Sequence, residues 1–309
     1  MSNTNRRILH EIAVEPVSFT DWYTFDRITS HIAPEKGVLI SQFPKKSWKR
    51  SVWKSISGLR DMQKKKVEQR LMSIVFSHPR RKYEGSDWLD AAMQSDKGYP
   101  FDAILVADDK AKLLGEVAKV KLVSDIDGDY FKRFPREQII DKKAESVVDS
   151  IHVFLLVARK VMLIDPYFNP TKDRYWRLID EVTSWVKDGP NNVKEIIYCT
   201  SEKHGAVKGF EDCVRNKLKA HAICLRVPVI FQLWDDSSSS IKFHDRYILD
   251  VSDPGMGIKS TYGLDEYNNQ QTTLDMMEKR NFKKIASYFD KDTSPFVLRS
   301  EYRFPGQCI

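Results

Sequence analysis

The chain has 309 residues, 41% of them hydrophobic, with 16 Phe, 12 Tyr and 7 Trp, a composition that excludes disorder and leaves room for one large domain or two ordinary ones. No apolar run reaches the length of a membrane span, and the opening MSNTNRRILHEIAVEP lacks the apolar stretch of a signal peptide, so the expected setting is cytoplasmic. The formal charge of +7 is uneven: between Lys45 and Lys82 only Asp61 and Glu68 oppose a dense series of Lys and Arg, which points to a polyanionic partner, nucleic acid first.

In chain order, Glu11–Val14 reads as a short strand, DWYTFDRITSHIA (21–33) has helical spacing, and Gly37–Ile40 is a second strand. From Trp48 to Phe76 the apolar positions recur at helical spacing, with a break near Gly58 and Lys64–Lys66 that divides the segment into two helices. Their basic residues, Lys45, Lys46, Lys49 and Arg50 foremost, would lie on a wet face and are candidate substrate contacts. Trp48 and Trp53 either stack on bases or fill the core. A helical turn at Asp87–Met93 precedes a buried strand, Pro100–Ala107. A helix is expected from about Arg136 to Arg159.

From residue 160 the rhythm is regular. Strands are expected at 161–168, 193–201 and 227–236, with helices at 173–188 and 209–222 between them. Strands at 241–250 and 257–262, a helix at 273–289 and a last strand, PFVLRSEYRF, complete the chain. This alternation predicts an α/β domain over residues 145–309 with a mostly parallel sheet flanked by helices, preceded by a basic α+β domain over residues 1–144.

Ligands of such sheets sit beyond the carboxyl ends of the parallel strands. The predicted strands deliver Asp165, then Thr200, Ser201 and Glu202, then Asp235 and Asp236 to that edge. In IKFHDRYILD, strand alternation puts His244, Arg246, Ile248 and Asp250 on one face. An imidazole can attack phosphorus, and a guanidinium offers bidentate bonds to phosphate oxygens. A carboxylate, Asp165 or Asp250, on the far imidazole nitrogen would fix its tautomer.

These residues carry a resemblance. His-x-(Lys/Arg) late in an α/β domain resembles the H-x-K-x4-D motif of the phospholipase D superfamily. The wider pattern IDPYF … FHDRYIL … GIKSTYGLDEY resembles a PLD-like branch with H-D-R followed by G-L-D, which includes the C-terminal domain of MIT-domain proteins and bacterial PLD-like proteins. The likeness spans about residues 145–305. It implies a metal-independent phosphodiesterase, a nuclease acting as a homodimer through a phosphohistidine, with a role in bacterial defence. The alternative it implies is a catalytically silent module that binds nucleic acid, a phosphate group or a protein partner. Asp265 of the G-L-D segment joins the candidate ligand contacts. The motif departs from the active pattern: position 246 is Arg, Val251 stands where the motif aspartate falls, and no second motif is present.

No cofactor is implied, since G-x-G-x-x-G and G-x-x-x-x-G-K-[ST] are missing. Cys199, Cys213, Cys224 and Cys308 form no C-x-x-C pair, and with His204 and His221 their spacings match no usual zinc pattern.

Overall fold

The computed structural model describes residues 7–45, 47–77, 81–107, 118–189, 191–205, 208–220 and 226–306. The chain divides into two compact units. The first comprises residues 1–4 and 9–136, the second residues 5–8 and 137–309.

The first unit is built on a five-stranded, wholly parallel sheet: β1 (His10–Val14), β2 (Val38–Ser41), β3 (Phe76–Ser77), β4 (Ala103–Val106) and β5 (Val120–Leu122), in the order β3-β2-β1-β4-β5. All of β1, β2 and β4 is buried, as strands covered on both faces must be. The helices between them are α1 (Trp22–Thr29), α2 (Trp48–Ser55), α3 (Asp61–Ser73) and α4 (Trp88–Gly98). This is an α/β arrangement, where segregated α+β elements were expected. The difference lies in β3 and β5, two and three residues long, which are too short to leave a periodic signal. Trp48 is wholly buried and its indole donates to the Val14 carbonyl at 2.7 Å, whereas Trp53 is 38% exposed, so the two tryptophans of α2 have different roles.

The second unit holds an eight-stranded mixed sheet. Its strands are β6 (Glu137–Asp141), β7 (Lys160–Ile164), β8 (Glu195–Ser201), β9 (Val229–Asp235), β10 (Arg246–Asp250), β11 (Met256–Ser260), β12 (Gln271–Met276) and β13 (Val297–Phe304), ordered β13-β9-β8-β7-β10-β11-β12-β6. Only β7, β8 and β9 run parallel; every other pairing is antiparallel. The expected mostly parallel sheet is therefore corrected to a mixed one. Helix α6 (Asp173–Asp188) crosses between β7 and β8, and the single turn α7 (Glu202–Gly205) with α8 (Phe210–Ala220) crosses between β8 and β9, whereas the short β10–β11 and β11–β12 connections join antiparallel neighbours.

Two further expectations change. Residues 271–276 form strand β12, because Thr272, Leu274 and Met276 are buried alternately; the helix starts later, as α9 (Lys279–Ser287). Residues 137–141 form β6, paired with β12, before helix α5 (Ala144–Val157), so the boundary lies at 136/137, ahead of the expected 144/145.

One sheet face packs Met162, Ile164, Ile197, Ile230, Trp234, Tyr247 and Leu249 against Phe282 of α9 and Phe289 beyond it. The other carries an aromatic cluster in which Phe168 lies 4.4 Å from Tyr198 and 5.8 Å from Trp176, beneath α6. Among the described residues no helix is long and apolar enough to cross a membrane.

Candidate functional site

The site forms where the carboxyl end of β7 meets the start of β10. Antiparallel pairing sets Tyr247 opposite Ile164 and Ile248 opposite Leu163, so the next step of the register brings Arg246 beside Asp165. The Arg246 Nε atom lies 3.9 Å from Asp165 Oδ1. Asp165 is wholly buried and accepts two backbone hydrogen bonds, from Tyr167 N at 3.0 Å and from Leu264 N at 2.9 Å. Burial pushes its carboxyl above the usual range. The two N–H donors and Arg246 oppose that shift, and the nearby charge of Asp265 reinforces it.

Tyr167 joins the two motif residues. Its ring lies beneath the Arg246 guanidinium, 4.6 Å from Cζ to centroid, and its hydroxyl is 3.2 Å from His244 Nδ1. When that hydroxyl donates to Nδ1, the neutral imidazole carries its proton on Nε2. His244 is exposed and precedes β10, so it reaches Tyr167 from a loop and not, as expected, from the strand. The Arg246 side chain is 24% exposed, and no hydrogen bond joins its guanidinium to a described residue.

Behind this edge lies a strap, Gly263-Leu264-Asp265. Leu264 supplies one of the N–H donors to Asp165, and Asp265 binds Lys142 Nζ at 2.7 Å and Arg174 Nε at 3.1 Å. Tyr267 backs both cations: its ring lies 5.0 Å from Lys142 Nζ and 4.7 Å from Arg174 Cζ, and its hydroxyl accepts from Arg174 Nη1 at 2.6 Å. A Cβ at Gly263 would stand 2.5 Å from Asp265 Oδ1 and 3.5 Å from Asp165 Oδ2. The strap needs glycine there for close approach.

The candidates therefore separate. His244, Arg246 and Asp165 come together. Asp250 does not: it pairs with Val161 at the opposite end of β7 and accepts from the N–H groups of Arg159, Lys160 and Ser252. It cannot orient His244. The reason is strand length, since six residues of extended chain span roughly 20 Å. Ser201 is 1% exposed, its N–H donates to the Pro166 carbonyl and its Oγ accepts from Lys203 N, so it anchors a turn. Asp265 is 6% exposed and serves as internal counter-ion to Lys142 and Arg174. Asp235 is held by Arg299 at 2.6 Å, which with the Ser237 N–H lowers its carboxyl to about 2; Asp236 accepts from Phe243 N and fixes the chain leading into His244.

In the first unit, Lys45 and Arg50 are exposed, and Lys49 Nζ lies 4.5 Å from the centroid of the Phe76 ring. Lys46 lies outside the described residues. Arg50, Trp53 and Lys54, at helical spacings of three and four, share an exposed face of α2.

Sequence reasoning misses Tyr167, Lys142, Arg174 and Tyr267. Tyr167 stands inside the IDPYF segment, two residues past Asp165, and that position is its only signal. Tyr267 likewise closes the quoted GIKSTYGLDEY segment, two residues past Asp265, whereas Lys142 and Arg174 lie in unrelated segments and carry no local signature.

Among the described residues no group of three or more His, Cys, Asp or Glu side chains is placed to hold a metal. The edge can donate hydrogen bonds from a guanidinium and an imidazole to one anionic oxygen cluster. No carboxylate touches the His244 ring among the described residues, and the phenol in that place is a weaker support for an imidazolium. No protein-family model matches the chain, and no curated protein matches it either.

Proposed function

We propose that this is a nucleic-acid-directed protein whose second unit is a PLD-like domain holding a phosphodiester at the Tyr167–His244–Arg246 edge. The observation that carries this reading is the Tyr167 hub: one ring supports Arg246 and, through its hydroxyl, sets His244 with Nε2 outward. Both cationic or donor groups then serve the same phosphate. The surplus of positive charge and the exposed Arg50–Trp53–Lys54 face support nucleic acid as the bearer of that phosphate. The cysteine pattern favours a cytoplasmic setting.

The test is binding of labelled single- and double-stranded DNA and RNA, with EDTA present, by wild type, Arg246→Gln and Tyr167→Phe. Loss of a charge-assisted bond to phosphate predicts weakening of roughly 10- to 100-fold for Arg246→Gln. Unchanged binding by that variant would sink the assignment.

A second reading is metal-independent hydrolysis by a homodimer, favoured by the exposure of His244. In this reading Nδ1 donates to the Tyr167 oxygen, so the unprotonated Nε2 of one copy would attack phosphorus while the bond to the leaving oxygen breaks and the imidazolium of the other copy protonates that oxygen. Water would then cleave the phosphohistidine. Cleavage that persists in EDTA, is lost in His244→Ala and tracks a dimer in sedimentation would select this reading.

A further inference from the structure

We infer that the polar face of α9 is a phosphate-backbone contact surface for a nucleic-acid strand. The inference rests on the nucleic-acid reading above and extends it to a surface outside both the motif and the basic segment of the first unit.

The helix has nine residues, KRNFKKIAS, and Lys279, Arg280, Lys283 and Lys284 are all exposed. At about 100° per residue they fall within one arc of about 140°. Phe282, Ile285 and Ala286 lie on the other side and pack on the sheet. None of the four cations forms an ion pair with a described residue, whereas three other cations of this unit do: Lys259 with Asp245, Lys291 with Glu301, Arg299 with Asp235.

The arrangement opposes helix stability. Lys279 and Lys283, and Arg280 and Lys284, are like charges four residues apart, which repel. Lys279 and Arg280 also occupy the first turn, where the helix dipole favours acids, and the acid at that end is the N-cap Glu278. A solvated face has no need of such a pattern, but a polyanion would neutralise all four charges at once.

The helix also has a fixed seat on the sheet. A Cβ at Gly255 or Gly257 would crowd the ring of Phe282, so α9 begins beside the β10–β11 connection. Just past its end, Phe289 lies 5.8 Å from Trp234 and 5.0 Å from Phe243, the residue before His244. The four cations thus lie towards the β10–β11 end of the helix, on the outer side of the sheet face that carries Phe243, Tyr247 and Leu249.

A membrane surface is the other polyanion to weigh. An interfacial helix must offer its apolar face to lipid, and here Phe282 is buried against the sheet. Nucleic acid is therefore the partner this face fits.

The experiment compares the full chain with the fourfold variant Lys279→Gln, Arg280→Gln, Lys283→Gln, Lys284→Gln. Binding of a labelled single-stranded oligonucleotide is followed by anisotropy across a salt series. Each phosphate deprived of its cation lowers the slope of log K against log salt by about 0.7, so a fall of about 2 to 3 is expected, with affinity at low salt down at least ~10-fold. A charge-preserving Lys283→Arg, Lys284→Arg variant should bind as wild type, and circular dichroism should show the fourfold variant folded. If the slope stays put while Arg246→Gln weakens binding, the α9 surface is wrong and the phosphodiester reading stands. Failure of wild type to bind any oligonucleotide overturns both. Loss of binding to phosphatidylserine vesicles with none to the oligonucleotide would make α9 a membrane contact and overturn the inference.

Discussion

Replacing Asp265 by Ala tests the internal support of the site. The residue holds two cations of unequal burial: the Lys142 side chain is 8% exposed and that of Arg174 is 41% exposed. Arg174 keeps its bond to the Tyr267 hydroxyl and can hydrate, so its share of the loss is at most about 1 kcal/mol. Lys142 is different. Without Asp265 its ammonium is a buried charge facing only the Tyr267 ring, and breaking a buried pair costs about 3–5 kcal/mol. The ring interaction, about 0.5–2 kcal/mol, places the expected loss at the lower end of that range. Adding Lys142→Met removes the orphaned charge, and the double variant should recover about 2 kcal/mol relative to Asp265→Ala alone. Urea unfolding monitored by circular dichroism, with hydrogen exchange of β7 and β10 amides to localise the effect, measures both values. If the two single losses simply add within about 0.5 kcal/mol in the double variant, the residues are not coupled and the account of Asp265 as counter-ion is refuted.

The other expectations concern the same edge. Gly263→Ala inserts a methyl 2.5 Å from Asp265 Oδ1 and should cost about 1–3 kcal/mol in unfolding experiments; an unchanged midpoint would mean the strap yields freely. Tyr167→Phe should weaken oligonucleotide binding by about 5-fold through loss of one hydrogen bond, and Tyr167→Leu by more, because the platform under Arg246 goes too; equal effects would deny the ring a role. Asp235, lowered to about 2, contributes stability that is present above its ordinary range and lost as pH falls through about 2. Arg299→Gln should therefore raise the Asp235 pKa, read by NMR titration, and move acid unfolding to higher pH. Asp165 has the opposite sign: its raised carboxyl contributes stability below the ordinary aspartate range that is lost as pH rises through its folded value. Direct titration of Asp165 below the ordinary range would contradict its burial.

Local pattern determined much of the chain by itself. Helix α6 runs over Asp173–Asp188 as its spacing predicts, and the runs at 161–164, 195–201 and 229–235 are strands, because a 3.6 period reports the dry side of a helix and a short, mostly apolar run reports a strand covered on both faces. The same signal misleads at 271–276, where six residues of strand abut a helix and a single period fits across both. What periodicity could not supply was which strand lies beside which. Asp165 and Asp250 are both acids next to apolar runs in the sequence; antiparallel pairing of β7 with β10 puts one beside Arg246 and the other at the far end. Lys142, Arg174 and Asp265 come from three distant segments, and Tyr167 reaches His244 only because two strand ends meet. Burial is written locally in the order of apolar residues, whereas the partner of a buried charge is fixed by long-range pairing, and only the tertiary structure decided that.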